Sequence, residues 1–233
     1  MAITHPTEII DEVIISDIHL GSRVSRAKEL IDELKKLKFK RLILNGDVFD
    51  DLNFESLSEK HWEFLSYIRD LANSKDTTEV IWIRGNHDDL LKNVASHLLG
   101  INVYNEYAWE RGGIRYLVIH GDQFDHFLVD YKILTSIVSS LYLLLQRMDT
   151  SQRISRYLKR RLKLWLKVSN QVAELATLYG KSKHADVVFC GHTHQPIHKE
   201  LNGVRYYNSG CWTDIPSTYI TIKGSEVKTH SKY

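Results

Sequence analysis

The chain has 233 residues, of which 43% are hydrophobic and 26% charged, and its formal net charge is only +2. This is the composition of a soluble globular protein long enough to bury a sizeable core, and so small a net charge does not announce a nucleic-acid partner. Two cysteines, Cys190 and Cys211, exclude a disulfide framework, fall in no paired metal-binding spacing and fit a reducing compartment. Met1 to Glu12 carries no basic region followed by an apolar run, so no signal peptide is expected and the protein is placed in the cytoplasm.

Taken in order, Val13 to Ser16 reads as a first buried strand, followed at once by Asp17-Ile18-His19-Leu20-Gly21. From Ser25 to Leu37 the apolar residues Leu30, Ile31, Leu34 and Leu37 recur with helical period. Arg41 to Leu44 is the second strand, and it breaks at Asn45-Gly46 to deliver Asp47 and Asp50. Leu57 to Leu71 is a second amphipathic helix. Val80 to Ile83 is a third strand, ending in Arg84-Gly85-Asn86-His87-Asp88, with a helical stretch from Asp89 to Leu99 behind it. Strands alternating with helices in this way predict an α/β sheet with parallel pairing.

After Gly100 the rhythm changes. Asn102 to Trp109 and Ile114 to Ile119 form a predicted hairpin about Arg111-Gly112-Gly113, the second strand ending in His120-Gly121-Asp122. Phe127 to Gly180 is helical throughout. Val187 to Cys190 is another buried strand, ending in Gly191-His192-Thr193-His194, and the tail repeats short strands around Asn202-Gly203 and Lys223-Gly224. Parallel units thus fill the first half and antiparallel strands much of the second, in one domain over residues 1–233 with a helical insertion at about 127–180.

Five strand ends carry seven candidate ligands, Asp17, His19, Asp47, Asn86, His120, His192 and His194, with Asp50 and His87 beside them in the same loops. Each also has an ordinary structural explanation, as a helix cap, a turn or a hydrogen-bonded loop histidine. Carboxylate, amide oxygen and imidazole without thiolate suit a hard or borderline divalent ion. Seven such ligands are too many for one ion with room for substrate. They suit two ions about 3.5–4 Å apart that share a carboxylate, an arrangement used in phosphoester hydrolysis. Two cations acidify a shared water and neutralise the phosphate oxygens that repel a nucleophile. His87, adjacent to Asn86, points away from a common ion and suits a role above the site, where a cationic imidazole binds developing charge. Arg84 is a further candidate for phosphate contact, although an arginine closing a strand is also an ordinary surface residue.

The ordered set of five motifs, spanning about Val13 to Tyr219, resembles the calcineurin-like metallophosphoesterase superfamily. That resemblance implies a four-layer αββα sandwich and a dinuclear centre. Asp17, His19, Asp47 and His194 would hold one metal; Asp47, Asn86, His120 and His192 would hold the other. His87 matches the histidine that stabilises the phosphoryl transition state or protonates the leaving oxygen, and Asp50 matches its orienting carboxylate. Two divalent ions are implied, manganese foremost, with iron, zinc or cobalt as alternatives.

The insertion adds a second layer of expectation. Phe127 to Leu145 is strongly apolar, but its uncharged core from Ile133 is too short to span a bilayer. Arg153, Arg156, Lys159, Arg160, Arg161, Lys163 and Lys167 then alternate at helical spacing with Ile154, Tyr157, Leu158, Leu162, Trp165 and Leu166. A basic amphipathic helix of this kind suggests contact with a membrane surface, with core packing and a solvated face as the plainer readings; a basic lid also attracts nucleic acid, but no aromatic stacking platform accompanies it, and no nucleic-acid partner is expected. Within the superfamily, such an insertion resembles the UDP-2,3-diacylglucosamine diphosphatases, peripheral inner-membrane enzymes of lipid A synthesis. The implied reaction hydrolyses that nucleotide lipid to UMP and 2,3-diacylglucosamine 1-phosphate. The best-known branch has arginine where this chain has His87, so the match is to the superfamily first. A soluble phosphodiesterase or phosphomonoesterase for nucleotides or phosphoproteins is the competing enzyme reading, and a non-catalytic scaffold the reading from another class.

Overall fold

The computed structural model describes residues 9–51, 53–74, 78–87, 99–124 and 163–233. The expected helix over Asp89–Leu99, the apolar stretch from Phe127 and the basic stretch up to Leu162 lie largely outside these residues.

Two mixed sheets stack face to face. The first contains β1 (Ile10–Ile15), β2 (Phe39–Asn45), β3 (Glu79–Ile83), β4 (Val103–Tyr104), β10 (Ser217–Lys223) and β11 (Glu226–Lys232), in the order β11-β10-β1-β2-β3-β4. β1 to β4 pair in parallel, and the tail hairpin adds antiparallel to β1. The second sheet contains β5 (Glu106–Arg111), β6 (Ile114–Ile119), β7 (Val187–Cys190), β8 (His198–Leu201) and β9 (Val204–Asn208), in the order β5-β6-β7-β9-β8. β6, β7 and β9 run parallel, with antiparallel edges.

The strand sequences are apolar on both faces because both faces are covered. In β1 and β2, Ile14 and Ile43 point between the sheets, where they meet Ile81, Tyr116, Val118, Val187, Phe189 and Ile220. Their neighbours Val13, Ile15, Leu42 and Leu44 point outward. There they pack under α1 (Ala27–Leu34) and α2 (Glu59–Ala72) through Leu30, Ile31, Phe64 and Ile68. The outer face of the second sheet, with Leu117, Ile119, Val188 and Cys190, packs on Val172, Ala173 and Ala176 of α3 (Lys163–Ser182). Helix, sheet, sheet, helix is the expected four-layer sandwich. No helix among the described residues is long and apolar enough to cross a membrane.

Local differences from the sequence reading have local causes. α1 begins after Ser25 because the Ser25 hydroxyl donates to the Ile18 carbonyl (2.7 Å) instead of capping the helix. It ends at Leu34 because Lys36 and Leu37 N–H turn to the carbonyls of Glu33 and Leu34, a tighter turn that still packs Leu37 on the core. The single strand expected over Asn102–Trp109 is two, one in each sheet, divided at Asn105, whose side chain accepts from Arg84 Nε (3.1 Å).

At the end of β1 away from the expected site, buried Glu12 binds Arg41 Nη1 of β2 (3.2 Å) and Arg111 Nη1 of β5 (2.7 Å). One carboxylate therefore ties the first sheet to an edge strand of the second.

Candidate metal centre

The C-terminal ends of β1, β2, β3, β6 and β7 open onto one region between the sheets. Their loops are sewn together through backbone: Asp17 N–H donates to the Gly46 carbonyl (3.1 Å), Gly191 N–H to that of His120 (2.9 Å), and Trp212 N–H to that of Asp17 (3.0 Å). Asp17, His19, Asp47, His192 and His194 all adopt positive φ, between +50° and +63°. Among the described residues only His184 and Asn202 otherwise do so without being glycine. Side chains rarely accept this conformation unless the surrounding structure imposes it.

Three overlapping clusters result among the described residues, two of them centred on buried carboxylates and a third, more exposed, formed by His19, Asp50 and His87. Asp17, His19 and His194 present ligand atoms within 4.8 Å of one another, and Asp47, His120 and His192 do the same. In the first, His194 Nε2 lies 3.1 Å from Asp17 Oδ1 and 3.3 Å from His19 Nε2. The second Asp17 oxygen accepts the His192 N–H (3.0 Å). In the second cluster, His120 donates Nδ1–H to the Asn45 carbonyl (2.8 Å), which turns Nε2 toward Asp47 Oδ2 (3.3 Å). That same Oδ2 is 3.8 Å from His19 Nε2, so one oxygen faces a ligand atom of each cluster.

Two glycines make the close approach feasible. A Cβ on Gly46, at φ +81°, would stand 2.2 Å from His120 Nδ1; one on Gly85 would stand 2.1 Å from Asp47 Oδ1. Asn86 is exposed and lies between two residues that touch Asp47, since Gly85 packs on its carboxylate and His87 N–H donates to Oδ1 (3.1 Å). His87 is also exposed, with Nδ1 2.5 Å from the Asp50 carbonyl oxygen and its ring 5.0 Å from that of His19. The Asp50 carboxylate engages His19 Nδ1 (3.0 Å) and also lies within 4.8 Å of a ring nitrogen of His87, the residue to which the sequence assigned it. Arg84 meets Asn105 and, at 3.7 Å, Asp122 behind His120.

The charges report the same convergence. Burial raises the Asp47 and Asp17 pKa values, but the imidazoles of His120 and His194 respectively override it and hold both carboxyls below the usual range. Burial likewise opposes charge on His120, yet the Asp47 carboxylate pushes its pKa up to about 10. His19 is raised against its own burial by Asp50 and Asp47. Asp50 is lowered, its desolvation outweighed by His19.

These residues fit divalent cations. His120 Nε2 is buried, is aimed at a carboxylate and has no hydrogen-bond partner among the described residues. His19 and His194 bring Nε2 atoms together as ligands converge on an ion, and Nε2 is the free nitrogen wherever Nδ1 is held by an acceptor.

Sequence reasoning missed three supporting residues. Asn208, at the end of β9, donates to the Gly191 carbonyl (2.5 Å) and Thr193 Oγ1 (3.2 Å), holding the loop of His192 and His194. Asn208-Ser209-Gly210 is another strand end of the same kind, and that signal was there to be read. Trp212 reaches Asp17 only through backbone. His61, buried in α2, accepts N–H groups from Gly21 (3.1 Å) and Ser58 (3.2 Å), fastening the loop after His19 to the helix; helical periodicity alone cannot show this.

The sequence matches the family model of the calcineurin-like phosphoesterases over residues 13–196. No curated protein matches the sequence significantly. Among solved structures, an archaeal phosphodiesterase superposes with a TM-score of 0.50 at 14% identity, covering 94% of this chain and 98% of its own. YfcE, a phosphoesterase from E. coli, gives 0.50 at 14% identity over 95% and 99% of the two chains. At such identity the likeness is one of fold.

Proposed function

The chain belongs to the calcineurin-like phosphoesterase family, and on that premise we propose that it is a phosphoester or pyrophosphate hydrolase with a dinuclear metal centre. The observation that carries the reading is the single oxygen, Asp47 Oδ2, set between His120 Nε2 of one cluster and His19 Nε2 of the other. Asp17, His19, Asp47 and His194 would hold one ion, and Asp47, Asn86, His120 and His192 the second. Two divalent ions, manganese first among the candidates, would supply an acidified water and charge to neutralise phosphate oxygens.

The chain's own groups do the rest. Asp47 and Asp17 stay ionised at neutral pH, held low by neighbouring imidazoles despite burial. The Asn45 carbonyl fixes the His120 tautomer that leaves Nε2 as the ligand atom. The Asp50 carbonyl takes the Nδ1–H of His87, so Nε2 of this exposed ring is the atom that delivers a proton to the leaving oxygen.

For the substrate, the apolar and basic sequence from Phe127 to Lys167 supports an amphiphilic nucleotide lipid, UDP-2,3-diacylglucosamine, taken at the inner face of the cytoplasmic membrane. His87, where the best-known enzymes of that kind carry arginine, favours a second reading: a phosphodiesterase or phosphomonoesterase for soluble nucleotides or phosphoproteins. A panel of UDP-2,3-diacylglucosamine, simple diesters and monoesters with added Mn separates them. Release of UMP from the nucleotide lipid at least about tenfold faster than any other turnover is expected; preference for a water-soluble ester overturns the lipid reading. No turnover of any member would leave the scaffold reading standing.

A further inference from the structure

Asp50 deepens the dinuclear reading and rests on it. The loops after β1 and β2 run on side by side as a short parallel ladder: His19 N–H donates to the Asp47 carbonyl (3.0 Å), Leu20 N–H to that of Val48 (2.7 Å), and Asp50 N–H to that of Leu20 (2.9 Å). This ladder sets the two carboxylates of Asp47-x-x-Asp50 on opposite sides of one imidazole. Asp47 Oδ2 lies 3.8 Å from His19 Nε2, and Asp50 Oδ1 lies 3.0 Å from His19 Nδ1. We propose that the Asp50 carboxylate is a positioning residue for His19, fixing the Nδ1–H tautomer and the ring orientation that present Nε2 to a metal shared with Asp17 and His194.

The alternative, that this carboxylate orients His87, competes for the same side chain. The carboxylate lies within 4.8 Å of a His87 ring nitrogen, but its hydrogen bond is to His19, and His87 already has an acceptor of its own. Its Nδ1 is against the Asp50 backbone carbonyl, an acceptor that survives any substitution at position 50 short of displacing the loop. His19 has only the side chain of Asp50 on its Nδ1, and its backbone at φ +50° is held where few side chains go. A carboxylate on the far nitrogen of a metal-bound imidazole commonly changes metal affinity about 10–100-fold when removed.

The test is a Mn titration of the metal-free wild type, Asp50→Ala and Asp50→Asn, by calorimetry. Wild type should bind two ions. Asp50→Ala should weaken one of the two steps by about 10–100-fold and leave the other within about threefold. Asp50→Asn, whose amide oxygen can still accept from Nδ1–H, should recover most of the loss. Zn-loaded protein offers a second readout: the His19 Nδ1–H proton should be observed, downfield and protected from exchange, in wild type and Asp50→Asn, and be lost to exchange with solvent in Asp50→Ala. Because the Asp50 side chain is 40% exposed, neither variant opens the core. Two ions bound with unchanged affinity in Asp50→Ala, together with slowed turnover at saturating Mn, would overturn the proposal and return the carboxylate to His87. Fewer than two ions in wild type would overturn the dinuclear reading itself.

Discussion

Gly46→Ala is a sharp probe of how tightly the site is built. The substitution meets two obstacles that can be separated. A non-glycine residue at φ +81° costs about 1–2 kcal/mol wherever it occurs. In addition, the new Cβ would lie 2.2 Å from Nδ1 and 2.5 Å from Cγ of His120, a ring that is itself buried and tied to the Asn45 carbonyl. Relieving that overlap means shifting the ring or the loop, at about 1–3 kcal/mol. The expected total is about 2–5 kcal/mol. Gly203→Ala supplies the control, because Gly203 has φ +78° and open space around its would-be Cβ. Urea denaturation of both metal-free variants, compared at equal slope, should place Gly46→Ala lower than Gly203→Ala by the overlap alone, about 1–3 kcal/mol. Mn affinity should fall in Gly46→Ala and stay at the wild-type value in Gly203→Ala. Equal stability of the two variants, with metal affinity intact in both, would refute the close packing of β2's end against His120.

Three further outcomes follow from the same geometry. Asp47→Asn removes the charge from the oxygen that faces both clusters, so both Mn sites should weaken and turnover drop by about 100-fold or more, beyond the usual effect of residues outside the ligand shell; retention of either site at full affinity would contradict a shared ligand. Glu12→Ala leaves Arg41 and Arg111 without their common carboxylate, and since both arginines are partly exposed the expected loss is about 1.5–3 kcal/mol in denaturant, with kcat unchanged. In the metal-free protein, His120 has a pKa of about 10 against about 6.5 unfolded. Its pairing with Asp47 is therefore fully present below about pH 6.5 and lost as pH rises toward about 10. The Tm of the metal-free protein should fall across that window, and that of metal-loaded protein, with Nε2 engaged, should fall less; parallel profiles would speak against it.

The sandwich was readable because its strands are covered on both sides. Leu42-Ile43-Leu44 is apolar throughout since Ile43 faces the other sheet and its neighbours face the helices. The convergence of the candidate ligand positions was readable for a related reason: each apolar run stops abruptly at a polar, glycine-flanked loop, and such stops share one end of the sandwich. What was hidden depends on pairings between distant segments. Nothing in the run Asn102–Trp109 reveals that Asn105 divides it between sheets. The direction of the Asp50 carboxylate is decided by a ladder between loops some thirty residues apart, and spacing alone assigns it equally well to His19 or His87. His61 reads as one more buried helix position until Gly21 is seen donating to it.

The five left-handed residues at the strand ends carry a consequence for how such a protein changes over generations. Glycine or asparagine at Asp17, His19, Asp47, His192 or His194 would relieve backbone conformations that cost about 1 kcal/mol or more apiece. On the proposed dinuclear reading, fold stability and metal ligation therefore pull in opposite directions at these positions. Were the chemistry no longer needed, drift would take the ligands first and leave a sturdier sandwich behind. Carbon-copy architecture in a distant cousin would then say little about turnover, whereas aspartate and histidine kept together at all five places mark a demand that folding by itself never makes.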